Sequence, residues 1–222
     1  RLGLFYLLPV KSAACPTIPP VFIRSGTRQC RVGLTGLNAV LVKMQAGPRP
    51  SLQNNVVRTV VTRKKKKRFA EIETFPNVFD RRAILGNREW WREFFTQDSS
   101  PILELGCGKG DLTLELGRRL PGRNFIGIDR RGDRIWKGAK AAIEEGLANV
   151  AFLKTRVEDL SDYFAPGSIG EIWLPYPDPL PKRRQIKHRL LAPSFLEIYR
   201  LLLIPGGLVR LKTAELNLLQ YA

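Results

Sequence analysis

The first 70 residues contain no aspartate or glutamate, yet they carry 14 lysines and arginines. That absence locates the charge of the molecule. The 222-residue chain has a formal net charge of +17, with 37 basic and 20 acidic side chains. The 152 residues after position 70 therefore hold 23 basic against 20 acidic groups, a balance of only +3. The excess sits in an N-terminal arm, which suits a polyanion such as nucleic acid or an anionic membrane surface. The plainer alternative is a solvated, disordered tail.

Other scarcities narrow the field. His188 is the only histidine, and Cys15, Cys30 and Cys107 show neither paired metal spacing nor a disulfide framework. No metal is implied, and a reducing compartment follows. No apolar stretch approaches the roughly 20 residues of a membrane span. The opening "RLGLFYLLPV" follows one Arg and is soon interrupted by Lys11, so it makes a poor secretory signal. Methionine occurs once, at Met44, and residue 1 is Arg. Residues 1–43 thus read as sequence upstream of a start, the preferred reading, or as an acid-free organellar transit peptide. The first implies a cytoplasmic protein, the second an organellar one. No fold is expected there.

Residues 45–62 are polar, with Gly, Pro, Ser and Asn and then a short Val-rich stretch, and read as a linker. "RKKKKR" (63–68) is the densest charge in the chain. "EWWREFF" (89–95) sets Trp90, Trp91, Phe94 and Phe95 at helical spacing, which predicts a core-facing helix rather than a base-stacking surface. From residue 101 the pattern becomes regular. "PILEL", "NFIGID", "NVAFL", "EIWLP" and "LVRLK" read as five strands, the last entered through a turn at "PGG". Helices are expected from Asp111 to about Leu120, over 132–145 and from Pro193. The second would bury Ile135, Trp136, Ala139, Ala142 and Ile143 and stop at Gly146. The third would bury Phe195, Ile198, Tyr199, Leu202 and Leu203. Alternating strands and helices mean a mostly parallel sheet with helices on both faces. Its ligand belongs beyond the carboxyl ends of the strands.

"LELGCGKG" places Gly106, Gly108 and Gly110 directly after the first of these strands, where glycines allow a tight turn and close approach to a ligand. Asp129 ends the next strand and can accept both ribose hydroxyls of a nucleoside. Dinucleotide folds space their glycines GxGxxG and face a pyrophosphate. Here the spacing is GxGxG, and Glu104 stands two residues before the first glycine. A carboxylate there opposes a pyrophosphate and suits an ammonium and a sulfonium, the groups of S-adenosylmethionine. The loop resembles the cofactor motif of class I methyltransferases.

After "EIWLP" comes "YPDPLPKRRQIKHRL" (176–190), in which one carboxylate, Asp178, stands among prolines and ahead of a run of cations. The prolines leave the loop few backbone states, so the acid is pre-positioned at the rim. The cations are of the kind that meets phosphates. "PDPLPKRRQIKHRL" resembles the PDPWPKKRHxKRRL signature of the tRNA (guanine-N7)-methyltransferases, TrmB type. "RFAEIETFPNVF" (68–79) and "FLEIYRLLLIPGGLVRLKTAE" (195–215) resemble other segments of that family, in the same order.

The resemblance implies a Rossmann-like α/β fold of the class I methyltransferases. It divides the chain into an extension (1–62), a basic arm with the family's N-terminal segment (63–98) and a methyltransferase domain (99–222). It also implies methyl transfer from S-adenosylmethionine to guanine N7 in the variable loop of tRNA, with no metal and no membrane partner. Glu104, Gly106, Gly108, Asp129, Arg156 and Asp178 would contact the cofactor. Asp178 would also be the catalytic group, and Lys182, Lys187, Arg189 and the position of Ala214 would contact RNA. Leu180 replaces the signature Trp, Ala214 stands where the family has an Asp, and the sequence stops before the final strands expected of this fold. Competing readings are a catalytically weak RNA-binding relative, another nucleic-acid methyltransferase such as one acting on adenine, and a nicotinamide-dependent oxidoreductase, which GxGxG with Glu104 disfavours.

Overall fold

The computed structural model describes residues 6–8, of which only the backbone is considered, together with 66–84 and 86–221. The rest of the N-terminal extension and the first residues of "RKKKKR" lie outside the described residues. Seven strands form one sheet in the order β1-β7-β6-β3-β4-β5-β2. They are β1 (Tyr6–Leu8), β2 (Val78–Phe79), β3 (Ile102–Leu105), β4 (Phe125–Asp129), β5 (Val150–Lys154), β6 (Ile169–Pro175) and β7 (Leu203–Lys212). Six are parallel, and β1 pairs antiparallel to β7. The sequence predicts neither β1 nor β2. Tyr6–Leu8 corrects the expectation that residues 1–43 carry no fold: an edge strand exposes unpaired backbone groups, and β7 has three of its residues paired there.

The helices are α1 (66–72), α2 (Trp90–Phe94), α3 (Asp111–Arg119), α4 (Gly132–Glu144), α5 (Pro193–Leu202) and α6 (Leu216–Tyr221). Among the described residues, no helix is long and apolar enough to cross a membrane. Alternation along the strands divides the core into two layers. Leu103, Ile126 and Ile172 pack with Trp90, Trp91, Phe195 and Tyr199 on one side. Ile102, Phe125 and Phe152 pack with Leu114, Leu116, Ile135 and Ala139 on the other. Both faces are covered, which is why the central strands read as unbroken apolar runs.

Three local expectations shift. In α4, Ile143 is 42% exposed, and Trp136 is only half-buried beneath the guanidinium of Arg68, 4.7 Å from its ring. In α5, Phe195, Tyr199 and Leu202 are buried while Ile198 is half-buried, and Leu203 already opens β7. "PGG" is not a turn ahead of the last strand. It lies inside β7, where pairing jumps from Ile169–Leu203 to Glu171–Leu208, with Gly206 at φ +79°.

The chain runs from β3 outward through β4 to β5 and then returns to the other side of β3 with β6 and β7. The carboxyl ends of β3, β4 and β6 therefore meet at the topological switch point, where doubly wound sheets hold their ligands.

Candidate active site

The glycine loop leaves β3 in left-handed turns, with φ +73° at Gly106 and +74° at Gly110. At Gly110 a side chain is also excluded by space, since a Cβ would stand 2.6 Å from the Phe152 ring. At Gly106 the added atom would meet nothing within 4 Å, so this loop surface is open. The loop is tied to β4: the N–H groups of Gly106 and Cys107 both donate to the Ile128 carbonyl at 2.9 Å.

Asp129 is 8% exposed at the end of β4. Its Oδ2 accepts the Gly108 N–H at 3.1 Å, and its Oδ1 accepts the Arg131 N–H at 2.8 Å. One carboxylate thus fixes both the glycine loop and the turn into α4. Glu104 is 6% exposed on β3, beneath the loop, and its Oε2 accepts a hydrogen bond from the Thr113 hydroxyl of α3. Burial raises its pKa from 4.5 to about 7, against the lowering effect of the Thr113 hydrogen bonds. Burial likewise raises the Cys107 thiol well above its ordinary range, which makes it a poor nucleophile.

The proline-rich segment follows β6 directly. Two residues that are not glycine take left-handed conformations, Tyr176 at φ +51° and Leu180 at φ +43°. Such backbone is sparsely populated and persists where its surroundings hold it. The Tyr176 N–H donates to the Lys212 carbonyl at 2.7 Å. At the far end, Arg189 Nη2 reaches the Leu180 carbonyl at 3.4 Å. Asp178 is exposed between these two fastenings.

A cleft of about 500 Å³ opens at this end of the sheet. It is lined by Gly106, Asp129, Arg156 and Asp178 among the residues expected from the sequence. The topology therefore brings together residues from the ends of β3, β4, β5 and β6. Glu104, Gly108, Lys182, Lys187, Arg189 and Ala214 are not among its lining residues. Lys182 and Lys187 are exposed around the 3₁₀ segment Arg183–His188, and Ala214 is exposed ahead of α6. Arg189 departs from its neighbours. It is only 8% exposed, its guanidinium lies 4.7 Å from the Tyr221 ring centroid, and its buried Nε has no partner among the described residues. Its position is that of a fastening for the loop.

Sequence reasoning did not place several lining residues at the cleft: Arg130, Arg131, Arg134 and Thr155, together with Phe195, read as helix core, and His188, read as a surface RNA contact or inert. "DRRGDR" (129–134) held a signal for the first three, because residues that follow Asp129 at the carboxyl end of β4 border the same cleft. His188 stands where the signature has an Arg.

A family model described as "Putative methyltransferase" matches residues 98–222. The tRNA (guanine-N(7)-)-methyltransferase of Christiangramia forsetii is 45% identical over 159 residues, which are 68% of this chain and 71% of that protein. The protein of the same name from Porphyromonas gingivalis is 44% identical over 151 residues, 64% of this chain and 61% of that one. That of Bacteroides fragilis is 39% identical over 156 residues, 67% and 61% of the two chains. The chain therefore spans between 61% and 71% of the length of these relatives.

Proposed function

The chain belongs to the tRNA (guanine-N7)-methyltransferase family, and from that membership we propose that it methylates N7 of a guanine in the variable loop of tRNA, using S-adenosylmethionine. The observation that carries this reading is the shared cleft. Asp129, at the end of β4, and Asp178, just after β6, line one cavity across the switch point, with Gly106 between them. The reading includes tRNA as partner, the cytoplasm as the place of work, and a catalytic unit over 99–222 preceded by an accessory segment over 63–98.

The residues present fit the cofactor. The cavity of about 500 Å³ is of the size that small-molecule sites have, roughly 300–1,000 Å³. Each Asp129 oxygen already accepts one N–H and keeps a second lone pair for a ribose hydroxyl. Gly106 lines the cavity at the methionine end, Gly108 and Glu104 brace its loop through Asp129 and Thr113 from outside the lining, and Arg156 and Asp178 stand at the rim. When bound, S-adenosylmethionine supplies an electrophilic methyl group on its sulfonium.

Guanine N7 carries a lone pair, so the acceptor needs no general base. What the reaction needs is orientation and a negative group near the base as it becomes positive. Asp178 provides that charge from a loop fastened through Tyr176 and Leu180. Lys182 and Lys187 are exposed for RNA contacts, and Arg189 serves the same end by holding the loop. The Ala214 position lacks the carboxylate of the family, which supports a second reading, a catalytically weak RNA-binding relative.

Asp178→Asn keeps the shape of the side chain and removes its charge. Turnover should fall by roughly 10²–10³, the scale of one preorganised electrostatic group. Lys182→Ala should instead weaken tRNA binding and leave the single-turnover rate at saturating tRNA nearly unchanged. Near-normal transfer by Asp178→Asn would make the Pro-Asp-Pro loop a scaffold and place the catalytic charge elsewhere.

A further inference from the structure

The rim of the cleft holds more positive charge than its cofactor can use. Arg130, Arg131, Arg134 and Arg156 all line it and all are exposed. Arg131 pairs with Asp133 at 3.3 Å. Arg130, Arg134 and Arg156 have no carboxylate partner among the described residues, although Asp129, Glu158 and Asp178 line the same cavity. The Asp129 oxygens are directed to the N–H groups of Gly108 and Arg131.

Three of these arginines stand at the start of α4, which spans Gly132–Glu144. The amino end of a helix carries partial positive charge, so cations there are unfavourable unless an anion joins them. No side chain caps this end. S-adenosylmethionine has two cationic centres and one carboxylate, so it can satisfy one guanidinium at most and is repelled by the rest. The guanine ring brings no anion. The phosphates on either side of it do.

We propose that Arg130 and Arg134 form a second phosphate-binding wall, opposite the cationic segment 182–188, so that the RNA strand straddles the cleft. The ends of β4 and β6 are two strand spacings apart with β3 between them, roughly 10 Å. A nucleotide entering between them meets positive charge on both sides. Asp129 sets this wall as well as the cofactor floor, because its bond to the Arg131 N–H fixes the turn from which the arginines project. The inference rests on the tRNA-methyltransferase reading and extends it from the reacting base to the strand that delivers it.

The test is the salt dependence of tRNA binding by the full chain, with S-adenosylmethionine affinity measured in parallel by calorimetry. Each phosphate contact contributes about 0.7–0.9 to the slope of log K against log salt. Arg130→Ala/Arg134→Ala should make that slope shallower by about 1.4–1.8, so that about tenfold less affinity is lost between about 50 and 200 mM salt than in the wild type. S-adenosylmethionine affinity and the melting temperature should not fall, since the arginines repel the cofactor and burden the helix end. Arg130→Lys/Arg134→Lys should keep most of the slope, since a phosphate contact needs charge more than shape. Arg119→Ala/Arg200→Ala, which removes the same net charge from exposed sites outside the cleft, should leave it nearly intact. An equal slope in the rim and control variants would overturn the proposal. So would an unchanged slope with lost cofactor affinity, which would make the arginines cofactor ligands. If the wild type shows this rim-dependent binding yet leaves no methylated guanine in tRNA, the rim stands and the reading of the reaction falls. A wild type that does not bind tRNA removes both.

Discussion

A carboxyl group sealed beneath the glycine loop keeps its proton at pH values where an exposed one has lost it. Burial holds the pKa of Glu104 at about 7, above the 4.5 of the unfolded chain. Below 4.5 the group is protonated in both states, and its contribution to stability is complete. Between 4.5 and 7 the folded chain holds a proton that the unfolded chain has lost, so stability falls as pH rises, by about 3 kcal/mol in total once both states are ionised above 7. Glu104→Gln keeps an acceptor for the Thr113 hydroxyl and carries no charge at any pH. Melting temperature measured from pH 4.5 to 8 without ligand should fall in the wild type and stay level, relative to it, in this variant. Parallel curves would mean that Glu104 is not desolvated. At this scale the meeting of Asp129 and Asp178 in one cleft was legible in the sequence, because both follow strands whose carboxyl ends lie at the switch point. The burial of Arg189 was not, since it depends on Tyr221 and Leu180 arriving from distant positions. Nor was the place of His188 on the cleft, because an exposed residue within a run of cations carries no signal of it.

Between α4 and the glycine loop there is no room for a methyl group. A Cβ on Gly138 would stand 2.5 Å from the Lys109 carbonyl oxygen and 2.8 Å from the Phe152 ring. In an exposed helix, glycine to alanine gains about 1 kcal/mol. Here the collision is with backbone, and overpacking of this kind costs typically 1–3 kcal/mol. Gly138→Ala should therefore lower stability by about 1–2 kcal/mol and weaken S-adenosylmethionine binding, because relief means moving the loop. A raised melting temperature with unchanged affinity would contradict the packing described. The elements themselves could be read largely from periodicity: β3, β4, β5 and β6 run unbroken and apolar, with helices where both faces needed cover. Failures came at the margins of that rule. Trp136 sits at a core-facing position yet lies under Arg68 of α1, and Ile143 falls past the edge of the buried stripe. Val78–Phe79 is too short to show an alternating pattern, and its pairing with Phe152 and Leu153 is set by tertiary contact.

Charge is arranged over the whole molecule in one direction, from an acid-free arm to a nearly neutral remainder after residue 70. If the arm holds tRNA through phosphates, Lys64→Ala/Lys65→Ala/Lys66→Ala/Lys67→Ala should flatten the salt dependence of tRNA binding and leave cofactor affinity alone. An identical salt slope would return the run to a solvated face. The order of motifs along the chain indicated the doubly wound sheet and the side on which its ligand belongs. It could not supply the edge strand β1, whose partner lies some 200 residues away in sequence, at Val209–Leu211. The central claim concerns the product and can be read there directly. The full chain is incubated with labelled S-adenosylmethionine and unmodified tRNA, and the RNA is digested to nucleosides. Label in N7-methylguanosine, lost in step with activity in Asp178→Asn, is the predicted result. Label in a methylated adenosine, or none in the tRNA at all, would contradict the account.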